Sequence, residues 1–270
     1  MSARLVFAIA FAIVFLLAGE TGRAASVELG LGVNYEYFSY QEQLASPAKS
    51  TETAVFPSLV GLARIYVVND SYLQLRAEYA TNIQSQYSGT ALTSNADVET
   101  IDPLAFQNYE ADAYISLTER FYLYVGYGYR HWNRFLSGGL GYREIYNWYY
   151  TPVGAQFWFV KDPGFEFGLD ASIRPTSNGT IQVITSATQP NGQDSQMNLG
   201  QTTGYKVMVP TRFRYGSWSL LLTPWYEVSS IGQSNLVTNS TLSPQANTGI
   251  LEPSSNTTQF GLDGVVTYTF

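Results

Sequence analysis

The chain has 270 residues, of which 45 % are apolar, 15 % aromatic and 13 % charged, with a formal net charge of −7. That acidic balance argues against a nucleic-acid partner, which calls for a basic patch. The absence of cysteine excludes disulfide and thiolate chemistry and suits passage through an oxidising compartment.

Residues 1–25 read as a secretory signal peptide. Arg4 supplies a positive start and an uncharged apolar run extends from Leu5 to Leu17. Gly22-Arg23-Ala24 offers a cleavage site before Ala25 or Ser26, with Gly19 as the other candidate. The run is too short and wrongly flanked for a membrane span. Beyond it, no apolar stretch approaches the ~20 residues that a membrane helix needs. Residues 26–270 form one domain with 12 Lys and Arg against 20 Asp and Glu. A closed barrel is the other structure that satisfies every backbone group in lipid. The sequons at Asn178, Asn239 and Asn256 matter only in a eukaryotic secretory route.

Ten segments with two-residue periodicity follow, each turning successive side chains to opposite faces. In the first, Val27, Leu29, Leu31, Val33, Tyr35 and Tyr37 alternate with Glu28, Gly30, Gly32, Asn34 and Glu36. The second, about 55–67, sets Leu59, Ile65 and Val67 against Ser58, Arg64 and Tyr66. The third sets Leu73, Leu75, Ala77, Tyr79 and Ile83 against Gln74, Arg76, Glu78, Asn82 and Gln84. The fourth opposes Tyr109, Ala111, Ala113 and Ile115 to Asn108, Glu110, Asp112 and Tyr114. The fifth opposes Phe121, Leu123, Val125, Tyr127 and Tyr129 to Tyr122, Tyr124, Gly126, Gly128 and Arg130. The sixth, about 144–159, is aromatic on both faces, so its register is open. The seventh opposes Phe165, Phe167, Leu169, Ala171 and Ile173 to Glu166, Gly168, Asp170, Ser172 and Arg174. The eighth sets Tyr205, Val207, Val209 and Phe213 against Lys206, Met208, Arg212 and Arg214, and the ninth sets Leu220, Leu222, Tyr226 and Val228 against Ser219, Thr223, Trp225 and Glu227. The tenth runs from Thr258 to Phe270, with Phe260, Leu262, Val266, Tyr268 and Phe270 opposite Gln259, Asp263 and Thr267.

Tight connections at 69–71, 118–120, 161–164 and 216–217 alternate with longer ones, roughly 41–53, 86–103, 133–143, 177–199 and 229–256. Short periplasmic turns and long external loops are the membrane-barrel pattern. The expected fold class is therefore an all-β, transmembrane, antiparallel up-and-down barrel of about ten strands, with both termini periplasmic. A soluble sandwich would instead carry its charges outward.

In this register the strand charges face a lumen. Arg64, Arg76, Arg130, Arg174, Lys206, Arg212 and Arg214 oppose Glu78, Glu110, Asp112, Glu166, Asp170, Glu227 and Asp263, joined by Glu28, Glu36 and Glu144. Two readings fit: a plug of paired charges, or a narrow aqueous channel. About eight strands make a barrel that its own side chains fill, whereas 16–18 leave a channel, so about ten strands favour occlusion. Inward Tyr114, Tyr122, Tyr124 and Trp225 point the same way, and the inward glycines would make room for those rings.

Chemistry is sparse. His131 is the one histidine, so neither a metal-ligand cluster nor a cofactor motif is read, and Gly138-Gly139-Leu140-Gly141 has no following helix to make a phosphate loop. Glu110 and Asp112 form an acidic pair, but no histidine partners them as the site of the outer-membrane proteases called omptins requires. Lipid A deacylases place a serine two residues after a lipid-facing histidine. Here that position is Asn133, Ser137 is out of register, and the nucleophile is missing despite Glu144 on the next strand. His131, Trp132, Tyr129, Tyr146, Trp148 and Tyr149 read instead as an interfacial aromatic girdle.

Val266, Tyr268 and terminal Phe270 resemble the C-terminal signature of bacterial outer-membrane β-barrels, and the pattern of residues 26–270 resembles the small OmpA-like and porin-like group. The resemblance implies a bacterial outer-membrane location, contact with outer-membrane lipid and lipopolysaccharide, and delivery to the barrel-assembly machinery through the last strand. The expected role is a non-enzymatic, occluded barrel displaying five loops. A narrow channel for small solutes is the alternative, and an acyl-lipid hydrolase the remote one.

Overall fold

The computed structural model describes residues 26–44, 48, 50–67, 70–90, 97–137, 141–186, 188, 192–238 and 249–270. The expected signal peptide, the sequon at Asn239 and Gly138-Gly139-Leu140 lie outside the described residues. Thirteen strands form one sheet. They are β1 (Val27–Glu42), β2 (Ser50–Tyr66), β3 (Tyr72–Thr90), β4 (Asp97–Ser116), β5 (Phe121–Leu136), β6 (Tyr142–Tyr150), β7 (Val153–Asp162), β8 (Phe165–Ile184), β9 (Ser195–Asn198), β10 (Thr203–Met208), β11 (Thr211–Tyr215), β12 (Trp218–Ile231) and β13 (Ser255–Thr269). Each pairs antiparallel with its neighbours, and β13 returns to β1, with Val266 opposite Leu31 and Phe260 opposite Tyr37. The Phe270 N–H donates to the Val27 carbonyl at 2.9 Å, extending the closing seam to the last residue. The result is an up-and-down barrel with about ten wall positions.

Thirteen strands share about ten positions because two walls are interrupted, at two of the three breaks by proline, which has no N–H to donate. The sixth wall divides into β6 and β7 around Pro152, whose carbonyl still accepts from the Gly126 N–H. The eighth wall comprises β9, β10 and β11, with Pro210 between the last two. The Pro210 carbonyl accepts from the Gly168 N–H, so the β8 side of the ladder is kept.

The wall has an apolar outer face. Leu31 is 78 % exposed, and Leu59, Tyr205, Phe260 and Val266 are likewise exposed, while their neighbours in sequence are buried within the ring. A continuous exposed apolar belt of this kind is stable only against lipid. The ladder is staggered. Followed across the strands from Leu31 it runs through Gly61, Ala77, Tyr109, Tyr129 and Tyr149 to Ser177. It therefore starts near the short-turn end of β1 and arrives in the upper half of β8, as tilted barrel strands require.

Four expectations need correction. First, β3 carries a bulge between Ala80 and Ile83. The extra residue reverses the alternation, so Ile83 is buried inside the ring and Gln84 is exposed. Second, the part of the chain expected as a loop at 86–103 is largely strand, and the one at 41–53 is strand at both ends. Ser50–Thr53 pairs with Gln86–Gly89, and Asp97–Pro103 pairs with Gln84–Thr90. Third, Trp132 and Tyr146 do not belong to an interfacial girdle. Both are buried within the barrel, because β5 keeps its alternation past Arg130. Fourth, the inward glycines have mixed roles. A side chain at Gly128 would strike the Tyr150 ring and one at Gly168 the Trp158 ring, but at Gly32 it would strike the backbone of Gly264, a close approach of two strands rather than room for a ring.

The chain has no cysteine, so single cysteines report the bulge cleanly. In the folded barrel, Gln84→Cys reacts with a water-soluble maleimide and Ile83→Cys reacts only after denaturation. Equal or reversed labelling would remove the bulge.

Candidate functional site

The interior of the ring is the candidate site, and it is arranged in three tiers. At the short-turn end, Glu28 of β1 lies 3.5 Å from Arg64 and 3.3 Å from Arg212, and it accepts from the Tyr66 hydroxyl at 2.8 Å. Glu166 pairs with Arg212 at 3.5 Å and with Arg214 at 2.9 Å. Arg214, expected in the lumen, stands exposed at this rim, with only its guanidinium end engaged. Across the ring at the same end, Tyr72, Tyr114 and Tyr124 stack at 4.5 and 4.4 Å. Asp170 accepts from Tyr124 at 2.7 Å, Gln156 at 3.2 Å and Tyr114 at 3.4 Å.

The middle tier joins opposite walls. Arg174 of β8 pairs with Glu110 of β4 and, at 3.0 Å, with Glu227 of β12. Arg130 of β5 reaches the same Glu227 at 2.9 Å and the Gln259 amide oxygen at 3.1 Å. Arg76 of β3 bridges Glu78 at 3.1 Å and Asp263 of β13 at 3.0 Å. Glu78 also accepts from Asn34 at 2.7 Å and Ser58 at 2.5 Å. Lys206 stands 3.9 Å from Glu227 and 4.7 Å above the Trp225 ring. Asp112 is buried two positions from Glu110, on the same face of β4. A charge taken from water is tolerated only when paired and hydrogen-bonded, and Glu110, Glu227 and Asp263 meet that condition through guanidinium groups that reach them from other walls.

The third tier lies toward the loops, and of its charges only Glu144 is expected in the lumen from the sequence. Arg134 is buried among three carboxylates: Glu144 at 2.8 Å, Glu52 at 3.4 Å and Glu42 at 3.6 Å. Its guanidinium lies 5.0 Å over the Tyr40 ring and 5.3 Å over that of Trp132. Beside it an apolar cluster crosses the ring, with Phe56 on Phe106 at 5.4 Å, Phe106 on Trp132 at 5.7 Å and Trp132 on Tyr146 at 4.7 Å. The sequence did carry a signal for this tier. Arg130, Trp132, Arg134 and Leu136 alternate without interruption into the segment 133–143, which reads as a loop.

Between Glu36, Ser58, Arg130, Trp225 and Glu227 there is a cavity of about 20 Å³, room for roughly one water molecule. Among the described residues, no group of three or more His, Asp or Glu side chains is arranged to hold a metal ion. His131 lies on the outer face, where its Nδ1 is 2.7 Å from the Asn147 side-chain oxygen.

No family model and no curated protein sequence matches the chain. Solved structures do match at the level of fold. The outer membrane protease OmpT from Escherichia coli is 11 % identical, with a TM-score of 0.53 over 91 % of this chain and 96 % of that one. Neisserial surface protein A is 11 % identical with a TM-score of 0.38, covering 92 % and 100 %, and the translocator domain of autotransporter NalP from Neisseria meningitidis is 9 % identical with a TM-score of 0.43, covering 97 % of each. The closed antiparallel ring, the apolar outer belt and the likeness to OmpT together give this chain the fold of the small bacterial outer-membrane β-barrels.

Proposed function

We propose that the chain is an outer-membrane barrel with a sealed lumen, whose work is done by its wall and its loops rather than by transport or catalysis. The observation that carries this reading is the cross-lumen pairing. Arg174–Glu110, Arg130–Glu227, Arg76–Asp263 and Arg212–Glu28 each join walls that are not neighbours in the ring. A solute would have to part these pairs and the aromatic stacks above and below them, leaving buried charges without partners. In this reading the loops, with their Ser, Thr and Asn, face outward and both termini face the periplasm. The wall contacts outer-membrane lipid and lipopolysaccharide, and β13 with Val266, Tyr268 and Phe270 is the strand delivered to the assembly machinery. A non-enzymatic role is favoured because His131 is engaged with Asn147 outside the ring, away from the buried carboxylates.

The loop end is closed by a segment between β12 and β13. Glu252 is buried there and accepts from the hydroxyls of Tyr146 at 2.7 Å and Tyr40 at 2.8 Å. Its backbone is tied to Ser234 in both directions. Burial pushes its carboxyl up to about 8, and the nearby Glu144 and Glu42 act in the same direction. The folded form therefore holds a proton that the unfolded chain releases near 4.5.

Refolded protein in a planar bilayer should give no discrete conductance steps. Reproducible steps from a barrel verified as folded by heat-modifiable gel mobility would sink the sealed reading. Arg174→Ala leaves Glu110 without its ion-pair partner and should lower the unfolding free energy by about 3–5 kcal/mol, read by urea unfolding in vesicles. Because the folded-state value of Glu252 is raised, stability should fall as pH rises from about 4.5 to about 8 and level off above it. Glu252→Gln should flatten that slope, and an unchanged slope would assign the proton elsewhere.

A further inference from the structure

The loop end of the wall has an open edge. β4 pairs with β3 as far as Asp97 opposite Thr90, but its pairing with β5 stops at Leu104 opposite Arg134. The stop has a local cause. Pro103 is the next residue up and has no N–H for a ladder. One residue further, the Asp102 carboxylate accepts from the Ser137 N–H at 3.0 Å and from the Ser137 hydroxyl. A side chain, not a ladder, therefore ties β5 to β4 at that height. β5 ends at Leu136 and β6 begins at Tyr142. Residues 98–101 thus have β3 on one flank and, among the described residues, no strand on the other. In an antiparallel strand, successive residues turn their N–H and C=O groups to opposite flanks. Alternate residues of this stretch accordingly direct theirs to the open side.

The side chains on this edge are selective. Glu99 and Ile101 are both exposed on the outer face, Ile101 at 65 %. Their neighbours across the ladder on β3 are Ser88 and Gln86, which carry no charge. Glu99 has no ion-pair partner among the described residues. Arg143, the outward cation of β6, is held by the Asn133 side-chain oxygen at 2.7 Å. β4 has 20 residues, so its loop end stands clear of the ~9–11 that cross a bilayer. An edge that stands in water with unpaired N–H and C=O groups is a template for another strand.

We infer that residues 98–101 of β4 dock an extended, cationic segment of a partner protein by strand addition, with a lysine or arginine opposite Glu99 and an aliphatic residue opposite Ile101. Backbone pairing supplies the affinity and the alternate side chains the selectivity. Charge chooses the occupant. A second copy paired edge to edge would bring Asp97 and Glu99 against their own counterparts, and like charges across a strand pair are destabilising. An acidic strand is repelled for the same reason. A cationic strand instead meets a carboxylate that has no ion-pair partner. The inference rests on the reading of the loop end as the working surface of the barrel, and it names what that surface takes.

The test is fluorescence anisotropy of a short labelled peptide, alternating lysine and valine, titrated with the refolded barrel in phosphatidylcholine nanodiscs. Empty nanodiscs give the background. The peptide should bind. A peptide with proline in place of valine carries the same charge but cannot form a strand, and it should bind about tenfold more weakly. Glu99→Lys should weaken the lysine–valine peptide about tenfold and admit a glutamate–valine peptide instead. Ile101→Cys should form a disulfide with a peptide bearing one central cysteine, and Gln84→Cys, outward on β3, should not. Each variant must keep the heat-modifiable mobility of a folded barrel. No binding, equal binding of the proline peptide, or binding untouched by Glu99→Lys would overturn strand addition at this edge. An Ile101→Cys barrel that joins to a second copy in preference to the peptide would overturn it too, by making the occupant another barrel. Both faces of a nanodisc are open to the peptide. Failure here is therefore separable from failure of the outward-loop reading, which maleimide labelling of Gln84→Cys on intact cells decides.

Discussion

The whole molecule depends on one seam, the pairing of β13 with β1. In lipid, a backbone N–H or C=O without a partner costs several kcal/mol, so an open sheet edge is not tolerated there. Closing the ring removes both edges at once. It also inverts the usual economy of a protein interior: the side chains that face out must be apolar, and those that face in must satisfy one another. Everything inside the barrel follows from that inversion. Buried Glu28, Asp170 and Glu227 are stable only because Arg64, Arg212, Tyr124, Arg130 and Arg174 arrive from other walls to meet them.

Two kinds of matter fill the ring, and they are distributed by height. The short-turn end and the middle are held by charge pairs and hydroxyls, while the loop end is held by Phe38, Phe56, Phe106, Trp132 and Tyr146 around Arg134. The long strands explain the difference. β3, β4 and β8 have 19, 20 and 20 residues, well beyond the ~9–11 needed to cross a bilayer. Their upper parts rise clear of the membrane, where a core that is apolar within and polar without is again the stable arrangement. The upper barrel is thus packed like a soluble sandwich, and the lower barrel like a membrane protein, on the same continuous strands.

That division also decides what could be read from the sequence. Alternation was legible wherever lipid enforces it: Leu29, Leu31 and Val33 on β1, Phe167, Leu169 and Ile173 on β8, Phe260, Leu262 and Val266 on β13. It failed where lipid no longer does. At Ile83 a bulge changes the phase by one residue, and no composition marks it because Ile fits either face. Trp132 and Tyr146 look like interfacial rings, since aromatic residues are used both at the membrane boundary and in a packed core. Only the pairing of β5 with β6 shows that they meet inside the barrel. Glu252 has no periodic context, and it reaches the Tyr146 hydroxyl from the connection between β12 and β13, whereas Glu52 reaches Arg134 from the inner face of β2, in a segment that reads as a loop.

A hollow in the outer wall at Gly61 follows from the same constraint seen from outside. The inner face of β1 carries Gly30 and Gly32, and at Gly32 even one added carbon would meet the backbone of Gly264. Here the strands have drawn in against Val60, Leu62, Leu221 and Val265, which form their own buried cluster. A wall drawn inward by small inner residues leaves a hollow outside unless large outer residues refill it. Gly61 and its partner Ala77 do not refill it, and Leu31, Leu75 and Tyr109 stand clear around them.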